Sequence, residues 1–211
     1  MPLTRRRITS ATDMKALAHP LRMDLLELLI VEGALTASAA ARRLDQTPSN
    51  VSWHLRKLAR HGFVRQADGG PGRERPWKAI AESLSWGEDA EDATAGEALN
   101  SVALERELQR LRAALAAQPT EPAAWRDAYS INQSRVWLTA AEAQDLARQL
   151  EAIFMSYADR IGDPSRRPAQ ARLMALMGWM VPTGPIPLDS AASGSTAKAD
   201  TAEAARVETG G

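Results

Sequence analysis

The sequence contains no cysteine. Disulfide bridges, thiolate metal ligands and a cysteine nucleophile are therefore excluded. Histidine is nearly as scarce. The three copies, His19, His54 and His61, are a poor basis for a transition-metal site, so no metal and no cofactor is expected. Aromatic residues make up only 5% of the chain. No stretch reaches the ~18 consecutive apolar residues that cross a bilayer. The opening MPLTRRRITS has basic residues with no apolar run behind them, which does not fit a secretion signal. A cytoplasmic protein with no membrane partner is expected. Neither G-x-S-x-G nor H-E-x-x-H occurs, and Gly69-Gly70-Pro71-Gly72-Arg73 lacks the Gly-Lys-Ser/Thr ending of a phosphate-binding loop. No enzyme is expected from these motifs.

The 211 residues are 45% hydrophobic and 25% charged, ordinary values for one or two globular domains with a sizeable core. Net charge is zero, but it is unevenly placed. Residues 1–80 carry 14 Lys and Arg against 7 Asp and Glu, leaving 12 against 19 for the remainder. A basic first half points to a polyanionic partner, because phosphate attraction dominates non-specific DNA affinity.

That half is organised around TASAAARRLDQTPSNVSWHLRKLARH, from Thr36 to His61. Two short helical patterns are separated by Leu44-Asp45-Gln46. Thr47 suits the N-cap of the second, since its hydroxyl can accept from an orphan backbone N–H. Pro48 suits the first helical position, where a missing N–H costs nothing. Val51, Leu55 and Leu58 share one face at i, i+4 and i+7. Ser49, Asn50, Trp53, Arg56 and Lys57 cluster roughly opposite. A helix so divided can dock through one side and read a major groove with the other. Gln46 and Thr47 lie at the end that enters the groove, and Arg42 and Arg43 close the preceding helix as phosphate candidates. Trp53 suits a thymine methyl or burial against a following hairpin. His54 flanks the apolar face and reads as structural.

Phe63–Ala67 and Arg73–Ile80 have strand character, joined by the turn-forming Asp68-Gly69-Gly70-Pro71-Gly72. Helix, turn, helix and a hairpin bearing Arg73 and Arg75 make a winged helix. The runs LAHPLRMDLLELL (17–29) and PSNVSWHLRKLARHGFV (48–64) resemble the ArsR/SmtB winged-helix regulators. Leu17, Pro20, Arg22, Leu25, Leu26 and Leu29 match the opening motif of that family. Ser49, Ser52, His54, Leu55, Leu58, Gly62 and Val64 match its reading-helix motif, with Phe63 in place of leucine. The resemblance covers roughly residues 11–81. It implies a bacterial-type homodimer that binds double-stranded DNA and regulates transcription. The family's metal-sensing cysteines and histidine–carboxylate sets are missing.

Residues 1–10 read as a basic arm able to reach a phosphate or the minor groove, 11–81 as the winged helix-turn-helix domain, and 82–97 as an acidic surface linker. Leu21 to Val31 is strongly apolar, with Leu21, Leu25, Leu28 and Leu29 on the expected buried side. Residues 98–118 form an amphipathic helix whose Leu104, Leu108, Leu111 and Leu115 suit a dimer interface. The alternative is packing within the subunit. Residues 119–182 read as a small α+β module. In it, Thr139 and Glu142 form a capping box, a helix runs over 140–161, and a strand over 134–138 pairs with 171–181. Periodicity alone does not separate strand from core helix for 171–181. Met174, Met177, Trp179 and Met180, with Trp125 and Trp137, read as ordinary core or an extended dimer interface ahead of an effector pocket. Residues 183–211 are compositionally disordered.

The fold class expected is thus mainly α with small β. The function expected is a sequence-specific DNA-binding regulator, a repressor acting as a homodimer on an inverted repeat. The alternatives are a protein–protein adaptor on a winged-helix scaffold, or a regulator with a small-molecule effector.

Overall fold

The computed structural model describes residues 4–67, 75–86 and 92–185. These form two compact units, one of residues 4–137 and 151–174, the other of 138–150 and 175–185.

The first unit begins with strand β1 (Arg5–Ile8) and four helices, α1 (Ala11–Leu17), α2 (Pro20–Glu32), α3 (Ala37–Arg43) and α4 (Pro48–Arg60). Strands β2 (Val64–Gln66), β3 (Trp77–Ala79) and β4 (Ser83–Trp86) and the long helix α5 (Ala93–Ala117) follow. Local chemistry explains the boundaries. Pro20 and Pro48 occupy first turns, where their fixed φ is already helical. The Thr36 hydroxyl accepts from the Ala39 amide at 3.1 Å, and the Thr47 hydroxyl from the Asn50 amide at 3.3 Å. Between α3 and α4, Asp45 takes φ +50°, a left-handed conformation that Asp tolerates. After α4, Gly62 takes φ +67° and turns the chain into the hairpin.

The core lies where α2, α3, α4 and the hairpin converge. Leu25, Leu26 and Leu29 meet Ala37, Ala40 and Ala41, then Val51, Leu55 and Leu58, with Phe63, Val64 and Trp77 closing the side. The alanines of α3 let its backbone approach closely. Leu21 and Leu28, expected inside, are half-buried, and Leu26 takes the inner place. The reason is that α2 is apolar nearly all round, so its pattern fixes no single face.

Two segments differ from expectation. Residues 5–8 are no free arm. They pair in parallel with β4, Arg5 to Ser83 through Ile8 to Trp86. Ile8 is buried, and Arg6 donates to the Gly62 carbonyl and to Asp13 while its guanidinium lies 4.2 Å from the Phe63 ring centre. The 82–97 stretch is likewise structured at both ends. Leu84 and Trp86 pack on the core as β4, the Trp86 indole donates to Asn100, and Asp92 caps α5 through the Thr94 and Ala95 amides. Residues 87–91 lie outside the described residues.

Helix α5 buries Ala95 and Leu99 and is then held by charge. Arg106 donates to Asp24 at 2.6 Å and to Glu27, and Arg110 reaches Glu27 at 3.0 Å. Burial alone would raise the Glu27 pKa, but hydrogen bonds and charge from Arg106, then Arg110, bring it below the usual carboxylate value. Beyond α5 come the short helices α6 (Ala123–Arg126) and α8 (Asp159–Gly162), with α7 (Ala140–Phe154) between them. Arg167 donates to the Val31 and Ile161 carbonyls, both at 2.8 Å.

In the second unit the capping box at the start of α7 is formed. The Thr139 amide donates to Glu142 at 2.8 Å and the Glu142 amide to the Thr139 hydroxyl at 3.3 Å. The helix expected over 140–161 breaks into α7, a single 3₁₀ turn over Met155–Tyr157, and α8. The strands expected at 134–138 and 171–181 are not formed. A strand needs a neighbour for its backbone groups, and these stretches run in solvent, with Trp137 94% exposed. Of the expected disordered tail, residues 186–211 lie outside the described residues, and 183–185 carry no helix or strand.

One buried cluster is polar. His54 of α4 and Arg22 of α2 are buried, and the His19 ring lies 4.7 Å from the His54 ring. His19 Nδ1, Arg22 Nε and His54 Nδ1 have no hydrogen-bond partner among the described residues. Burial, then the charges of His19 and Arg22, lowers the His54 pKa; burial, then Arg22, lowers that of His19. Both imidazoles therefore take up protons at a lower pH in the fold than in the unfolded chain, where they do so around pH 6.5. Their contribution to stability is complete above that pH and shrinks as pH falls toward the lowered folded values. Thermal melts should show Tm falling between about pH 7.5 and 5.5, with a shallower fall in His54→Gln. A second expected outcome concerns packing: Leu55→Ala should cost about 2–5 kcal/mol in urea denaturation.

Candidate nucleic-acid interface

Helix α4 is divided as its periodicity requires. Val51, Leu55 and Leu58 have no accessible surface to speak of, and His54 is buried beside them. On the opposite side Ser49, Asn50 and Arg56 are exposed, Lys57 is half-buried, and Trp53 is 50% exposed. Trp53 does not bury itself against the hairpin. Its ring stands edge-on to His54, with centroids 4.7 Å apart, so the buried histidine sets its orientation.

The leading end of α4 is ordered by side chains that also face outward. Thr47 caps the helix, and the Asn50 side-chain amide donates to the Gln46 side-chain carbonyl at 3.0 Å. That bond uses one of two N–H groups and leaves the Asn50 oxygen available, the combination that pairs with an adenine edge. Gln46, Thr47 and Ser49 are all exposed beside it. No acidic residue lies on α4, and Lys57 and Arg60 occupy its last turn, where they complement the helix dipole.

The flanking cations are placed unequally. Arg42 at the end of α3 is exposed. Arg43, also exposed, is held by Glu32 through two contacts of 3.0 and 3.2 Å, so it must exchange a partner before it meets a phosphate. In the hairpin, Arg75 is exposed, and Arg73 lies outside the described residues. Val64 pairs with Ala79, Arg65 with Lys78 and Gln66 with Trp77. The Leu35 amide and carbonyl bond to the Trp77 carbonyl and amide at 2.9 and 2.7 Å, anchoring the hairpin beside α3. Sequence reading passed over Arg65 and Lys78. Only the register, invisible without the turn, brings them together.

Of the leucines expected to form a dimer face on α5, Leu104, Leu111 and Leu115 are exposed and Leu108 is half-buried. Met174, Met177, Trp179 and Met180 are exposed to solvent rather than buried in a core. Among the described residues no three His, Asp or Glu side chains could share a metal ion, and no helix is long and apolar enough to cross a membrane.

A family of helix-turn-helix domains matches residues 17–67. No curated protein matches. A solved structure, reduced HlyU from Vibrio cholerae, is 20% identical over 46% of this chain and 84% of its own, with a TM-score of 0.30. The domain match and the exposed polar face of α4 support a DNA-binding regulator of transcription carried on a winged helix-turn-helix. Because the Thr47 hydroxyl satisfies an orphan amide at the start of α4, Thr47→Ala should cost about 0.5–2 kcal/mol of stability in urea denaturation. Thr47→Ser should recover most of that loss.

Proposed function

We propose that the chain is a sequence-specific regulator, a repressor, that binds double-stranded DNA as a homodimer over an inverted repeat. The carrying observation is the division of α4, with Ser49, Asn50, Trp53 and Arg56 outward and Val51, Leu55 and Leu58 sealed beneath. In this reading Asn50 takes adenine bidentately, and Arg56 takes guanine or phosphate. Gln46, Thr47, Ser49, Trp53 and Lys57 fill the rest of the groove contact. Arg42, Arg43, Arg73 and Arg75 hold the backbone and carry no base information. The protein works without catalysis and without a cofactor, and its place is the cytoplasm.

Dimerisation is assigned to the Leu104, Leu108, Leu111 and Leu115 edge of α5, three of whose leucines are exposed on a single chain. Two-fold symmetry then sets half-sites about one helical turn, or a multiple of it, apart. Trp137 of the first unit and Trp179 of the second are each exposed apolar surface. They also keep the adaptor reading in play, since large exposed aromatics are typical of protein contacts.

Selection of bound fragments from a genomic library supplies the operator. On that operator Asn50→Ala should cost about 1–3 kcal/mol, with little change on random duplex. Equal losses on both DNAs in a mobility-shift titration remove Asn50 from base reading. Sedimentation should give a dimer that Leu111→Glu shifts toward monomer. Absence of salt-sensitive DNA binding by the unaltered protein turns the assignment toward the adaptor.

A further inference from the structure

Most carboxylates in the first unit are placed against cations. Glu151 meets Arg5, Asp13 meets Arg6, Asp92 meets Lys15 and Glu32 meets Arg43. The hairpin is treated differently. Its described strands contain no acidic residue, and their register sets Arg65 directly opposite Lys78. Val64 and Trp77 are buried, so alternation turns the two cations to the outer face together. Backbone bonds from Ile80 to Phe63 (3.0 Å) and from Ala67 to Pro76 (2.8 Å) place the pair in hydrogen-bonded register, with Cα atoms about 5.5 Å apart.

Like charges in that position destabilise a sheet. Neither side chain has an ion pair or a side-chain hydrogen bond among the described residues. Arg65 is exposed, and Lys78 is half-buried, so its stem lies along the sheet and its ammonium group reaches out. Two cations at that spacing, on long side chains, can each take one of two neighbouring phosphate groups, and β3 is held in place on its other side by the bonds between Trp77 and Leu35.

We propose that Arg65 and Lys78 form a clamp on the stem of the hairpin that grips the DNA phosphate backbone. It rests on the DNA-binding reading above, and it adds two contacts that the reading helix and the hairpin arginines do not supply. The clamp carries no base information. Its repulsion in the free protein is relieved when phosphate is bound, so part of the binding energy comes from removing a strain built into the sheet.

The test uses the full chain and a random-sequence duplex, so no operator is needed. Each phosphate contact contributes about 0.9 to the slope of log affinity against log salt. Arg65→Ala with Lys78→Ala should flatten that slope by close to two per bound subunit. Between 50 and 200 mM salt the unaltered protein should then lose about tenfold more affinity than the double variant. Arg65→Glu provides the sharper readout. It places opposite charges across the strands, so Tm should stay level or rise while affinity for the duplex falls. Affinity and slope unchanged in both variants, with the parent still binding DNA, overturn the clamp and leave the DNA-binding reading standing. A fall in Tm for Arg65→Glu that accounts for its lost affinity also overturns it. No binding by the parent overturns both.

Discussion

The packing of α4 against α2 and α3 is the constraint from which the rest follows. A helix repeats every 3.6 residues, so sealing Val51, Leu55 and Leu58 under Leu25, Leu29 and Ala40 fixes where every other α4 side chain points. Asn50, Trp53 and Arg56 are outward because those three are inward. The seam also carries the polar cost of the domain. His54 enters it beside Arg22 and His19 with three ring or guanidinium nitrogens unpartnered among the described residues, and Trp53 and His54 meet edge to face. The exposed polar face of α4 and the least satisfied part of the described core are thus separated by one side chain.

Charge is distributed by the same logic. Among the described residues, Arg65 and Lys78 of the hairpin and Arg56 of α4 stand clear of the carboxylates that neutralise Arg5, Arg6, Lys15 and Arg43. A protein meant only to be soluble gains nothing from that arrangement. One meant to meet a polyanion does, since cations already bound to carboxylates must break those pairs before contacting phosphate. The α2–α5 junction is the opposite case. Arg106 and Arg110 are committed to Asp24 and Glu27, which makes α5 a part of the domain for its first half and leaves its leucine edge uncovered.

Where the sequence carried local instructions, the structure could be read in advance. Pro20, Pro48, Thr36, Thr47 and the Val51–Leu55–Leu58 spacing are each sufficient to mark a boundary or a face, and α2, α3 and α4 lie where these residues put them. Thr139 and Glu142 did the same for α7. Pairing between distant segments left no such mark. Nothing in RRRI announces that it lies beside SLSW, and an acidic composition concealed the two apolar residues, Leu84 and Trp86, that seat β4. Register was equally hidden. Arg65 and Lys78 look unrelated until the turn between them is placed. In the apolar run at 171–181 the side chains alone do not determine a conformation, because a strand is defined by its neighbour.

The parallel pairing of β1 with β4 has a consequence for assembly in time. Thr4 and Glu82, which open the pairing, are 78 positions apart, whereas the helices between them close through near neighbours. Contacts of such long range are the slow ones, because loop-closure entropy is lost before they form. A ribosome adding about 5–20 residues per second therefore releases the three-helix centre some seconds before the segment that completes its edge. In that interval β1 waits unpaired, and Ile8 stays in water until β4 arrives.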